Sequence, residues 1–137
     1  MKIIGFIGGL TWLSSVDYYR LLNQLTNEKL GGLSSCEMLM YSVNFETIKT
    51  LTVSGDWNAI AAILSNAAQK LEQAGAGCIL IGANTMHHVA DKVQASINIP
   101  LIHIAEVTAD AIAAQQLTKV ASLGIMMAIF FLASLFL

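Results

Sequence analysis

Two short stretches carry residues whose types and spacing could do chemistry. Gly82-Ala83-Asn84-Thr85-Met86-His87-His88 sets an amide, a hydroxyl and two imidazoles directly behind an apolar run. Asn and Thr at a helix start are commonly simple N-caps. The free N–H groups and positive dipole end found there also favour a carboxylate. One imidazole suits general acid/base work because it titrates near neutrality, and a surface histidine is the plain alternative. Successive helical residues point about 100° apart, so His87 and His88 are poorly placed to share a metal ion, and no metal site is expected. The second stretch is Gly8-Gly9-Leu10-Thr11. Its glycines would let the backbone approach a ligand and expose N–H donors, although a plain tight turn explains them as simply. It is not a dinucleotide fingerprint, because the G-x-G-x-x-G order is missing and no acidic residue ends the next strand. Cys36 and Cys78 have no CxxC or metal-type spacing, and they suit a reducing cytoplasm.

These stretches need elements to hold them. Lys2–Ile7 is a short β-rich run halted by Gly8-Gly9, which predicts a buried strand ending in a turn. Apolar residues then recur at helical spacing from Ser14 to Lys29, and Gly31-Gly32 closes that helix. Glu37–Val43 is the second expected strand and Phe45–Leu51 a short helix. Asp56 is a plausible N-cap for a long amphipathic helix running to about Ala74. Cys78–Ile81 has the apolar brevity of a strand covered on both faces. A helix should open at Asn84-Thr85 and run through Ser96. Leu101–Ile104 should be strand four, a helix should span about Glu106 to Gln116, and Val120–Leu123 should be strand five. This alternation predicts βαβ units and a three-layer α/β sandwich. Its parallel sheet would have four to five strands with helices on both faces, a Rossmann-like single lobe. No internal repeat or linker is evident.

Composition narrows the functional classes. The chain of 137 residues suits one domain, and its apolar content of 55% is high while its charged content of 12% is low. Usual values are roughly 45–50% and roughly 25%. A net charge of −2 without a Lys/Arg cluster argues against nucleic acid as a partner. The apolar start, Ile3 to Leu10, is broken by three glycines and followed by Asp17 and Arg20, so a strand fits better than an export signal.

Several segments, in order, resemble those of the aspartate/glutamate racemases. Gly5-Phe6-Ile7-Gly8-Gly9-Leu10-Thr11-Trp12 resembles their N-terminal G-x-I-G-G-M-[ST]-W, and Tyr18-Tyr19-Arg20-Leu21-Leu22-Asn23 their first helix. Asn84-Thr85-Met86-His87 is similar to the central N-T-x-H motif, and Ile99-Pro100-Leu101-Ile102-His103-Ile104 to the strand that follows. The resemblance implies a small-molecule substrate, aspartate or a glutamate-like amino acid. It implies proton transfer at the α-carbon without pyridoxal phosphate or any other cofactor. It further implies two similar lobes around a cleft, each giving one acid/base, usually a cysteine. One group removes the α-proton and the other returns a proton on the opposite face. By carry-over, Asn84 and Thr85 would hold the substrate, Gly8 and Gly9 would add backbone contacts, and Thr11 and Trp12 would border the site, a core role being an equal alternative for Trp12.

Two departures qualify that expectation. The family's first acid/base immediately precedes the Asn-Thr pair, and here that position is Ala83, whose methyl group cannot carry a proton. His87 is the candidate substitute. Cys78, five residues earlier within a strand, is expected to be a buried, inert thiol. The racemase-like lobe should span residues 1–124, and residues 125–137 form an apolar tail whose only polar side chain is Ser134. A truncated or frameshifted product, inactive as this chain, is therefore the expectation. The alternatives are a non-catalytic dicarboxylate-binding lobe or gene remnant and, less favoured, a membrane-tethered fragment. With Val120–Leu123 used as a strand, the thirteen residues of the 125–137 tail fall short of the ~17–25 that span a bilayer. An exposed tail could instead drive aggregation or a homodimer.

Overall fold

The computed structural model describes residues 2–116. Strand five and the apolar tail, both expected from the sequence, lie outside the described residues. Four parallel strands, β1 (Ile4–Gly8), β2 (Met38–Ser42), β3 (Cys78–Ile81) and β4 (Leu101–Ile102), form one sheet in the order β2-β1-β3-β4. The register pairs Ile4 with both Met38 and Cys78, and Leu80 with Ile102. Five α-helices connect and cover these strands: α1 (Trp12–Leu30), α2 (Phe45–Ser54), α3 (Trp57–Gln73), α4 (Ala90–Gln94) and α5 (Ile104–Ala114). A single 3-10 segment, Thr85–Val89, precedes α4.

Alternation along the central strands creates the three layers. Ile4, Phe6, Cys78 and Leu80 point to one face, where Tyr18, Leu21 and Leu22 of α1 and Ile104 and Val107 of α5 cover them. Ile7, Ile79 and Ile81 point to the other, against Ile48 of α2, Ile60, Leu64 and Leu71 of α3, and Val93 of α4. Every residue of β1 and β3 is buried, which explains why both read as unbroken apolar runs. Fully burying one such side chain contributes about 1.5–3 kcal/mol, so the two central strands anchor the lobe.

Several boundaries differ from expectation for local reasons. The first helix begins at Trp12 rather than Ser14, because the Thr11 hydroxyl accepts the Ser14 N–H as N-cap at 3.4 Å. Helix α2 runs three residues past Leu51 to Ser54 and is closed by the left-handed Gly55, with Asn44 capping Glu46 N–H at 3.0 Å. Asp56 caps α3 as expected, accepting Ala59 N–H at 3.0 Å. Strand β4 keeps two residues, since extended His103 already serves as the N-cap position of α5.

Candidate functional site

Beyond the carboxyl ends of β1 and β3, a groove of about 330 Å³ opens between three walls. Leu10, Thr11 and Ser14 give the first, from the β1–α1 turn. Phe45, Ile48, Lys49, Thr52 and Val53 of α2 give the second, and Ala83, Asn84, Thr85 and Met86 the third. Ligands of open parallel sheets bind at this edge. The sequence motifs supplied two of the walls. The α2 wall was missed, and nothing in the spacing of Lys49 or Thr52 singles them out.

The third wall has unusual backbone geometry. An α-helix was expected to open at Asn84-Thr85, but a 3-10 segment forms instead. In an α-helix the His87 N–H would donate to the Ala83 carbonyl. Here it donates to Asn84 O at 3.0 Å, and the Ala83 carbonyl lies 3.0 Å from His87 Nδ1. The ring has displaced the backbone from its usual acceptor. Asn84 makes no side-chain cap hydrogen bond. Asn84 and Thr85 are both exposed and line the groove. The capping role open to Asn84 in the sequence is therefore not the one it takes. A five-residue 3-10 segment also has little of the dipole that a long α-helix would aim at an anion.

On the first wall, the glycines are spent on packing. The Gly9 N–H donates to Ser15 Oγ at 2.9 Å, so this amide does not point at a ligand. Gly9 has φ +77°, and a Cβ there would collide with the Val43 carbonyl at the end of β2. Gly8 is buried in β1, and its carbonyl accepts Val43 N–H at 3.0 Å. Neither glycine lines the groove, so the expected backbone contacts to substrate have no support in this geometry. Thr11 does line it, with Oγ1 2.8 Å from Ser14 Oγ. Trp12 faces elsewhere. It is 68% exposed and borders a separate apolar hollow with Val16, Tyr19 and Met40.

His87 is half-buried and its ring is fully engaged. Nδ1 meets Ala83 O, and Nε2 accepts the Ile104 N–H at 3.3 Å. Burial, more than any other cause, pushes its pKa down. A ring with both nitrogens tied to backbone has no lone pair aimed into the groove, so this geometry does not favour His87 as a substitute base. His88 is exposed and packs on Trp57 at 4.5 Å between ring centroids. The thiols offer no nucleophile either. Burial pushes buried Cys78 up to about 11 and also raises half-buried Cys36. Lys49 supplies the groove's positive charge, and its exposed partner Glu46, 3.8 Å away, holds it only weakly. Among the described residues, no group of three His, Cys, Asp or Glu side chains could hold a metal ion. No helix among them is long and apolar enough to cross a membrane.

The fold is a three-layer α/β lobe with its groove at the carboxyl edge of a parallel sheet. The family model for Asp/Glu/hydantoin racemases matches residues 7–128, and this chain belongs to that family. Its structure is similar to that of a candidate Asp/Glu racemase from Yersinia pestis, with 48% identity and a TM-score of 0.83 over 85% of this chain. An aspartate racemase homologue from Pyrococcus horikoshii matches 84% of the chain at 37% identity and a TM-score of 0.77. The chain spans 50% of the length of each of these two proteins. The aspartate racemase of Picrophilus torridus, 20% identical, shares the fold with a TM-score of 0.73 over 98% of this chain and 88% of its own.

Proposed function

We propose that this lobe binds a small dicarboxylic amino acid, aspartate or a close glutamate-like relative, in the groove and does not turn it over. The observation carrying this reading is the third wall: Asn84 and Thr85 project exposed polar groups beside Ala83, opposite the cation of Lys49. Asn84 Nδ2 and Thr85 Oγ1 can donate to one carboxylate while Lys49 attracts the other. The names of the Yersinia and Pyrococcus relatives support aspartate or glutamate as the substrate class.

Racemisation without pyridoxal phosphate requires an acid/base on each face of the α-carbon, since one group cannot readily serve both. By resemblance the first belongs at position 83, which here is alanine. The neighbouring imidazole is tied up, and the raised pKa of each thiol keeps it protonated at neutral pH. The chain then retains recognition and lacks the proton acceptor. Free Cys36 and Cys78 suit a reducing cytoplasm. Incubation with L- or D-aspartate in D₂O, followed by proton NMR, tests the catalytic half of this reading. The α-proton signal should persist with either enantiomer; its loss at a rate proportional to protein concentration would overturn it.

A further inference from the structure

The two contacts of the His87 ring fix its protonation state. A backbone N–H can only donate, so the Ile104 amide at 3.3 Å requires a bare lone pair on Nε2. The ring hydrogen therefore sits on Nδ1 and is donated to Ala83 O at 3.0 Å. In this neutral tautomer the imidazole bridges the residue preceding Asn84-Thr85 to the first residue of α5, two segments otherwise separated in sequence by α4 and β4.

We propose that His87 is a positioning residue whose neutral, Nδ1-protonated ring locks the Ala83-Asn84-Thr85 turn to the start of α5, so that ligand binding in the groove is lost when the ring is protonated. The proposal rests on the groove being the amino-acid site. Protonation would place an N–H on Nε2 against the N–H of Ile104, turning an attraction into a repulsion. The Ala83 contact alone cannot hold both segments. Nδ1 keeps its hydrogen on protonation, so the ring and the Ala83 carbonyl stay joined while their tie to α5 is broken. The turn is then free to shift with the ring, and Asn84 and Thr85 leave their places in the wall.

The surroundings favour the neutral ring. His103 lies edge-on at 4.7 Å between centroids, and its charge would oppose that of His87. Its Nδ1 is buried without a partner among the described residues. On the same 3-10 segment, His88 packs instead on Trp57. Asp91 and Lys92 of α4 and Glu106 and Asp110 of α5 are all exposed, and among the described residues no carboxylate acts on the His87 ring.

Imidazole and amide NMR of the whole chain, followed from about pH 8 to about pH 4, tests this directly because an ordinary histidine titrates near 6.5 and burial lowers His87 below that. The expected spectrum at the upper end shows His87 as the Nδ1–H tautomer. As the pH falls, the Ile104, Asn84 and Thr85 amide signals should move with the same midpoint as the His87 ring. His87→Gln, which can still offer an acceptor to Ile104, should keep that amide shift and lose the transition. His87→Asn, which keeps only the Ala83 donor, should show the low-pH positions of Asn84 and Thr85 throughout. An Nε2–H tautomer, or Asn84 and Thr85 signals indifferent to His87 titration, would overturn the proposal even if both variants failed to fold. With L-aspartate, binding should weaken about tenfold per pH unit below the midpoint. Absence of aspartate binding at every pH, with the coupled transition present, would refute the groove assignment and leave the bridge standing.

Discussion

Asn84 and Thr85 stand exposed in the groove wall, and Asn84 does not spend its amide on capping the 3-10 segment. A side chain in that state contributes little to stability and is free for a ligand. Asn84→Ala and Thr85→Ala should each leave the denaturation midpoint within about 0.5 kcal/mol of the parent, as expected for surface positions. Each should weaken aspartate binding by about 1.5–3 kcal/mol, the usual contribution of a hydrogen bond to a charged group, measured by calorimetric titration. Lys49→Gln should weaken it too, and more at low salt than at high salt, because the lost attraction is screened. Gly9 shows the opposite profile. Gly9→Ala forces a Cβ onto the Val43 carbonyl at a positive φ, so it should cost at least about 1–3 kcal/mol of stability in a urea melt. The two motifs put Asn84, Thr85 and Thr11 at the carboxyl edge of the sheet, where they line the groove. It could not show that the Gly9 amide is consumed by Ser15, six residues on, because only the folded turn brings them together.

Among the elements, strands β1 and β3 were legible because they are covered on both faces, which leaves an unbroken apolar run in the sequence. Caps made the start of α3 equally plain through Asp56. The 3-10 segment was not legible, since the His87 ring that occupies the Ala83 carbonyl also accepts from Ile104, seventeen residues away, and only the fold brings the two together. The α2 wall was hidden for a different reason: Phe45, Lys49 and Thr52 are ordinary residues of a surface helix until the sheet places them opposite Ala83. The His87 bridge also has a consequence for stability. Burial lowers the folded-state pKa of His87 below its ordinary 6.5, so the unfolded chain takes up the proton first. The bridge's contribution is therefore complete above about pH 6.5 and is lost as the pH falls through the lowered folded value. Urea midpoints measured across that window should decline toward acid in the parent and decline less in His87→Gln.

For the whole molecule, membership of the racemase family and the three-layer fold go together with a groove that lacks a proton acceptor at position 83. Cys78 cannot fill that vacancy. It lies in β3 with its thiol held at about 11, and alkylation by iodoacetamide at neutral pH should label it far more slowly than half-buried Cys36. Supplying a thiol at the missing position is informative for the same reason. Ala83→Cys in this chain should give no racemisation, because a single thiol addresses one face of the α-carbon. The measurement closest to the central claim is an amide chemical-shift titration of the parent protein with L-aspartate. Shifts confined to the turn bearing Thr11, to α2 around Lys49 and to Asn84-Thr85, with the α-proton of aspartate retained in D₂O, are the predicted result. No shifts at saturating aspartate, or shifts centred on the Trp12–Met40 hollow instead, would contradict it.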